Sequence, residues 1–284
     1  MINFNQLFPD NRSNGETTLR QAQLVMLRMF KVIDFLCRKH NLHYWMCSGT
    51  LLGAVRHQGF IPWDDDLDIC MIREDYEKFL SIAQKELPDD MFLQTRETEP
   101  EYDYLALPCK IRDTKSLIIS NGIEKKKYHM GLFIDIFPAD RYHLDPNILK
   151  KEQKRKSYFF YLCKGLDAEL DKKNSFCKRV ISYFKPVLRA LTKRYLRQTS
   201  KYINQNINLG EQCFIGHGFD TPWRRYFNYN DIFPLVEYTF EDVKFFGPHD
   251  ANAYLSQLYG KNYMTPPPVE KRIQQHAAFL KPIL

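Results

Sequence analysis

Between Trp63 and Ile69 the chain reads Trp-Asp-Asp-Asp-Leu-Asp-Ile, four carboxylates within five positions. In an extended segment side chains alternate, so Asp64, Asp66 and Asp68 share one face and Asp65 points the other way. Like charges about 4 Å apart repel by roughly 4 kcal/mol at the effective dielectric of a protein surface. Such a row persists only if it stays solvated or captures a cation. The apolar residues on both sides (Phe60, Ile61, Trp63, Leu67, Ile69, Met71) argue against solvation alone. A metal site is the sharper reading; a solvated loop and a structural calcium site are the blander ones. An EF-hand loop does not fit, because its Gly and its terminal Glu are missing. On this reading Asp65 is an outward-facing bystander.

A second acid stands out in residues 131–138, Gly-Leu-Phe-Ile-Asp-Ile-Phe-Pro, which are apolar apart from Asp135. A buried carboxylate is costly without a partner, and that partner is either an Arg or Lys or a cation shared with the acidic row. Upstream, Ser48 and Gly49 form a small turn before a short helix over 50–57. A ligand phosphate can approach the backbone N–H groups there, where the helix dipole favours anions. Thr50 adds a hydroxyl. Carboxylate oxygens suit Mg²⁺, with Mn²⁺ as the alternative, and Mg²⁺ commonly keeps phosphate oxygens in its shell. Metal-bridged phosphates beside a positioned hydroxyl are the recurring parts of phosphoryl transfer. Arg56 and His57 either contact that phosphate or complete the helix C-terminus. Lys110 and Arg112 either reach it from a strand or form a solvated strand face.

These residues need a scaffold, and the hydropathy pattern supplies one. Thr17 and Thr18 precede a helix whose face carries Leu19, Gln23, Met26, Phe30, Ile33 and Cys37, ending near Lys39. A strand over 42–47, the helix over 50–57, an acidic strand running to about 72 and a helix over 73–87 follow. Further strands are expected at 105–111, 117–120 and 131–138. Residues 149–208 read as a helical insertion that Pro186 kinks or divides. Beyond it come a strand-like stretch over 238–246, a helix near 252–259, and a close carrying Lys271, Arg272 and His276. The expected fold is α/β (α+β), a mixed sheet flanked by helices with a basic helical insertion. The expected domains are a catalytic core over 1–148, the insertion over 149–208, and a completing part over 209–284.

The 284 residues suffice for a sizeable core, and 44% hydrophobic and 14% aromatic content describe an ordered chain. The net charge of +7 is localised: residues 149–201 hold 16 Lys and Arg against 4 Asp and Glu, leaving the rest net negative. A basic, aromatic helical segment suits an anionic membrane surface or a lipid-linked acceptor, and equally a solvated outer face. It shows no sequence-reading motif, and no nucleic acid is expected. The 7 cysteines are scattered and form no CxxC, which suits a reducing compartment. No signal peptide or spanning apolar run is present, so the expected place is the cytoplasm or the inner face of the membrane.

Residues 48–69, Ser-Gly-Thr-Leu-Leu-Gly-Ala-Val-Arg-His-Gln-Gly-Phe-Ile-Pro-Trp-Asp-Asp-Asp-Leu-Asp-Ile, resemble the signature of the LicD family. These are phosphotransferases similar to the phosphorylcholine transferases of bacterial envelope glycans and related to fukutin and fukutin-related protein. The stretches 108–113 and 131–138, and the closing Tyr259-Gly260, Pro-Pro, Lys271-Arg272 and His276, also resemble family text. The resemblance implies a nucleotidyltransferase-type fold. It also implies Mg²⁺-dependent transfer of a phospho-alcohol from a CDP-linked donor to a glycan hydroxyl, with release of CMP. Carried over, the Asp-x-Asp-x-Asp triplet falls on Asp64, Asp66 and Asp68 and the later acid on Asp135. Asp66, Asp68 and Asp135 are then the catalytic candidates and all four the metal-ligand candidates, with Asp135 either ligand or base. Ser48, Gly49, Thr50, Arg56, His57, Lys110, Arg272 and His276 are the candidates for substrate contact. The competing functions are a nucleotidyltransferase that releases pyrophosphate and a non-catalytic nucleotide- or metal-binding scaffold.

Overall fold

The computed structural model of the chain describes residues 3–102, 107–120, 127–166, 175–274 and 276–283, and at 120 and 175–183 the backbone alone. In chain order the elements begin α1 (Phe4–Leu7), α2 (Thr18–Lys39), β1 (Tyr44–Met46), α3 (Ser48–His57), β2 (Asp68–Ile72) and α4 (Arg73–Glu86). They continue with β3 (Met91–Gln94), β4 (Lys110–Asp113), β5 (Leu117–Ser120), β6 (Phe133–Tyr142), α5 (Pro146–Leu166) and α6 (Ser175–Asn206). The last are β7 (Phe214–His217), β8 (Tyr226–Asn228), α7 (Tyr229–Ile232), β9 (Val236–Phe240), β10 (Val243–Gly247), α8 (Ala251–Tyr259) and β11 (Ala277–Lys281). This is an α/β fold with a mixed sheet.

The chain forms two compact units. The first comprises Met1–Asp103, Cys109–Phe137 and Asn230–Leu284. Its sheet runs β1-β2-β6-β4-β3, with the two-stranded pairs β9/β10 and β5/β11 beside it. Thr17 caps α2 by accepting the Arg20 N–H at 3.1 Å. The apolar face of α2 then buries Met26, Met29, Phe30, Ile33 and Leu36. Phe30 stacks on Phe245 of β10 at 3.8 Å and meets Tyr44 of β1 edge-on, which ties the helix to the strand leading into α3. Each such large side chain contributes on the order of 1.5–3 kcal/mol on burial. The stretch expected as one strand over 238–246 is a hairpin, because the chain turns at Glu241 with φ of 56°. β3 is an element that its four residues did not announce.

The second unit, Tyr104–Pro108 and Pro138–Tyr229, extends beyond the expected insertion on both sides. Residues 138–142 of β6 pair with β7, and β7 pairs with β8, so strands accompany the helices here. Phe159 of α5 stacks on Tyr195 of α6 at 4.7 Å, with Leu162 and Cys163 buried around them. Pro186 lies inside α6 and does not divide it; Leu188 and Leu191, just beyond it, pack on this cluster and keep the segment one helix. The basic residues are not all outside: Lys156 is fully buried and donates to the carbonyls of Gly218 and Thr221. Among the described residues no helix is long and apolar enough to cross a membrane. The described cysteines are free and buried.

Candidate active site

The acidic row lies in the extended segment that feeds β2, and only Asp68 is within the strand itself. Side chains alternate as expected: Asp64, Asp66 and Asp68 are partly exposed, whereas Asp65 and Leu67 are buried. Several contacts fix this segment. Gln23 of α2 donates to the Asp64 carbonyl at 3.0 Å, the Asp68 N–H donates to Thr50 Oγ1 at 2.8 Å, and the Cys47 N–H donates to the Asp68 carbonyl. Thr50 is therefore buried and tied to the backbone of β2. Its hydroxyl oxygen accepts this bond rather than lying open as a ligand contact.

Ser48 and Gly49 do not form a turn ahead of the helix; they are its first two residues, with Cys47 as N-cap. Ser48 has φ of 49°, a left-handed conformation that costs a side chain roughly 1 kcal/mol or more. Gly49 faces the acidic row closely: a Cβ there would lie 2.9 Å from Asp64 Oδ2. The helix N-terminus and the row are thus neighbours, as the phosphate-seat reading requires.

Asp135 reaches the same place from β6. Its N–H donates to the Leu67 carbonyl at 2.9 Å, and on its other side the β4–β6 ladder sets Lys110 directly opposite it. The Lys110 ammonium forms an ion pair with Asp135 Oδ1 and sits 3.6 Å from the centroid of the Phe133 ring. Lys110 is buried, so the expectation of a solvated strand face is corrected, and its first partner is a carboxylate rather than a phosphate. Arg112 is also buried, donating to Gln94 Oε1 and the Gly131 carbonyl behind the site.

The electrostatics follow from this crowding. Burial, then the neighbouring Asp66, pushes the Asp64 carboxyl up to about 8. Burial and Asp66 likewise raise Asp68 well above the usual carboxylate range. Asp135 is raised by burial and partly relieved by Lys110, whose own affinity for its proton burial lowers. His276 faces Asp66 with Nε2 2.9 Å from Oδ2, and that hydrogen bond raises the imidazole to about 9. Several carboxylates whose ionisation each hinders the next form a hard-oxygen donor set that a divalent cation such as Mg²⁺ would relieve. In chemistry the set fits. Among the described residues no three His, Cys, Asp or Glu side chains are grouped to hold a metal.

A cationic group gathers at Trp63. The Arg272 guanidinium is 5.1 Å from the centroid of the Trp63 ring, His57 meets the same ring edge-on, and Arg56 donates to His57 Nε2 at 3.0 Å. Arg56 also donates to the Tyr263 carbonyl, and Arg272 to the Pro267 carbonyl. Burial, then Arg56 and Arg272, keeps His57 below its ordinary value. The structure thus gathers every residue singled out from the sequence into the first unit. It also corrects the reading of their neighbour Asp65. Asp65 is no outward bystander: it is 1% exposed, and Asp65 Oδ2 accepts the N–H groups of His276 at 3.2 Å and Ala277 at 2.7 Å. Its parity with Leu67 was the available signal, since a carboxylate on the buried side must find donors.

The model of the LicD/FKTN/FKRP nucleotidyltransferase domain matches residues 41–159. The chain is 30% identical over 264 residues to the lipopolysaccharide cholinephosphotransferase LicD of Haemophilus influenzae, covering 91% of this chain and 96% of that protein. The chain belongs to the LicD family. An uncharacterized protein of Rickettsia prowazekii is 36% identical over 127 residues, 42% of this chain and 46% of its own. The ribitol 5-phosphate transferase FKRP of Homo sapiens is 49% identical over 35 residues, 12% of this chain and 7% of its own. The LicD domain match spans the acidic row, Lys110 and Asp135, and membership makes the chain a LicD-type phosphotransferase.

Proposed function

We propose that this enzyme moves a phospho-alcohol, phosphocholine or a phospho-alditol, from a CDP-linked donor to a hydroxyl of a cell-envelope glycan, releasing CMP, with Mg²⁺ (or Mn²⁺) as cofactor. One observation carries the reading: Asp64, Asp66 and Asp68 line one side of a segment that meets the Lys110–Asp135 pair, with the ionisation of Asp64, Asp68 and Asp135 hindered. Asp64, Asp66 and Asp68 would hold the metal, which when bound neutralises charge on the donor diphosphate. Arg56, Arg272 and the N-terminus of α3 at Ser48, Gly49 and Thr50 bind the remaining phosphate charge, and His57 and Trp63 flank it. Asp135, its affinity for a proton raised by burial, takes the proton of the acceptor hydroxyl. The acceptor oxygen bonds to the phosphorus of the phospho-alcohol as the bond to the CMP oxygen breaks. The names of the relatives, one a cholinephosphotransferase and one a ribitol 5-phosphate transferase, support a phospho-alcohol as the group transferred.

The test is to incubate the protein with Mg²⁺, CDP-choline, CDP-ribitol or CDP-glycerol, and a panel of envelope glycans. CMP is expected from one donor, and Asp66→Asn and Asp68→Asn should each abolish its release. Unchanged release in both variants would refute the site, and pyrophosphate in place of CMP would make the chain a nucleotidyltransferase. Calorimetric binding of the CDP-alcohol without turnover on any acceptor would leave it a scaffold.

The α5–α6 hairpin bears on the acceptor. Tyr158, Tyr161, Phe184 and Val187 are exposed among the Lys and Arg that give this segment its positive charge. Such a surface suits contact with anionic lipid at the inner face of the membrane, where a lipid-linked glycan would be presented. Sedimentation with vesicles is expected to need anionic phospholipid and to weaken with salt; equal binding to neutral vesicles, or none, would overturn this part.

A further inference from the structure

Residues 269–274, the stretch leading into β11, are exposed, with Val269 at 73% and Ile273 at 63%. Yet two of the candidate ligand-contacting side chains, Arg272 and His276, come from this part of the chain. Apolar packing does not fix their position. The β5–β11 ladder holds the chain from Ala277 on, and a buried carboxylate holds the backbone at His276. The two N–H groups that Asp65 accepts flank the Cα of His276, because one belongs to His276 and the next to Ala277. A single side chain therefore holds the N–H groups on both sides of that Cα, just where the β5–β11 ladder begins. From this anchored Cα the ring reaches Asp66, with Nε2 2.9 Å from Oδ2.

We propose that Asp65 is a positioning residue, holding the 276–277 backbone so that the His276 imidazole sets the direction of the Asp66 carboxylate. The inference rests on the functional reading above for its consequence in catalysis, and on geometry alone for the anchoring. Parity divides the acidic row between two tasks. Asp64, Asp66 and Asp68 face the reacting groups, and Asp65, turned to the buried side, reaches a segment more than 200 residues away in the chain. Carboxylates that ligate metals depend on such outer partners for their orientation, and removing one typically costs about 10–100-fold in metal affinity or activity.

The experiment uses the full chain and four variants: Asp65→Asn, Ala277→Pro, His276→Ala and the Asp65→Asn/His276→Ala pair. Ala277→Pro deletes the 2.7 Å donor without touching the acidic row, and so serves if Asp65→Asn folds poorly. The first readout is the imidazole resonance of His276, assigned by its loss in His276→Ala and recorded without donor or acceptor. Asp65→Asn and Ala277→Pro should each move it. The second is CMP release: Asp65→Asn should lower kcat about 10–100-fold with little change in KM, and should cost less than about threefold in the His276→Ala background. An unmoved His276 resonance, or losses that multiply in full in the double variant, would overturn the proposal. If the wild type releases no CMP, the functional reading fails while the resonance still decides the anchoring.

Discussion

Two glycines of one helix give opposite predictions for the same substitution. A Cβ on Gly49 would meet only Asp64, at 2.9 Å from Oδ2 and 3.9 Å from Cγ. Ordinary contact is near 3.5 Å, so the carboxylate must retreat by roughly 0.5 Å, and a side-chain end can do that without moving backbone. Replacing Gly by Ala in a helix is itself worth up to about 1 kcal/mol, less in a first turn, so the stability of Gly49→Ala should stay within about 1 kcal/mol of wild type. Its activity should not hold. A 1 Å misplacement at a reacting centre can cost about 100-fold, and half that displacement of Asp64 corresponds to roughly tenfold in kcat, about 1.4 kcal/mol. Gly53 is the contrast: its added Cβ would lie 2.4 Å from the carbonyl oxygen of Gly59, which is backbone and cannot swing aside. Gly53→Ala should therefore lose stability by about 1–3 kcal/mol, as overpacking does. Thermal melts and CMP release on both variants give the comparison. Wild-type turnover in a well-folded Gly49→Ala would falsify the assignment of Asp64 to the site, and a melt as low as that of Gly53→Ala would mean that the contact at Gly49 is with more than a mobile carboxylate.

Three other changes separate structure from chemistry. Lys110→Met leaves Asp135 buried without its ion partner and should cost about 3–5 kcal/mol in urea unfolding, with much of the loss recovered in Lys110→Met/Asp135→Leu; equal losses in both would show that the pair itself stabilises. Thr50→Val keeps the shape but leaves the Asp68 N–H without its 2.8 Å acceptor, so a loss of about 1–3 kcal/mol is expected, and no loss would mean that water replaces the hydroxyl. His217, held neutral by burial and by Lys156 and Arg225, has its value lowered from 6.5 to about 3. Between those values the unfolded chain binds the proton and the folded chain does not, so stability should fall as pH drops through the window, by at most about 1.4 kcal/mol per pH unit. His217→Gln should flatten the pH dependence of the urea midpoint, and an unchanged slope would show that His217 does not carry it.

What was legible in the sequence was what has a short period. The alternation over 64–68 needed only neighbouring residues, and burial follows it residue by residue. The threonines at the start of α2 and the lone charge of Asp135 in an apolar strand were equally local. The partners were not. That Lys110 answers Asp135 depends on the register of β4 against β6, 25 residues apart, and that Asp65 answers the 276–277 backbone depends on where β11 begins. β3 escaped notice because Met91–Gln94 has no β-branched residue, whereas the equally short β5 carries Ile118 and Ile119. The hairpin of β9 and β10 read as one strand because the Glu241–Asp242 turn lacks the glycine or proline that marks such turns.

The same division explains how so crowded a set of acids can exist. The row carries its repulsion within five residues, but its relief is scattered along the chain: Lys110 on β4, His276 before β11, and the peptide N–H groups that Asp65 accepts. None of these is near the row until the sheet and the closing segment are formed. The acids are thus held by the tertiary structure at the cost of local strain, and the residual strain is concentrated at Asp64, Asp68 and Asp135, each still raised in the finished fold. A fold that stabilised these carboxylates fully would leave them no reason to bind a cation. Added Mg²⁺ should therefore raise the melting temperature of the wild type and raise it less in Asp64→Asn or Asp68→Asn, because each neutral side chain removes part of the repulsion that the ion relieves. An equal rise in all three proteins would place the ion elsewhere.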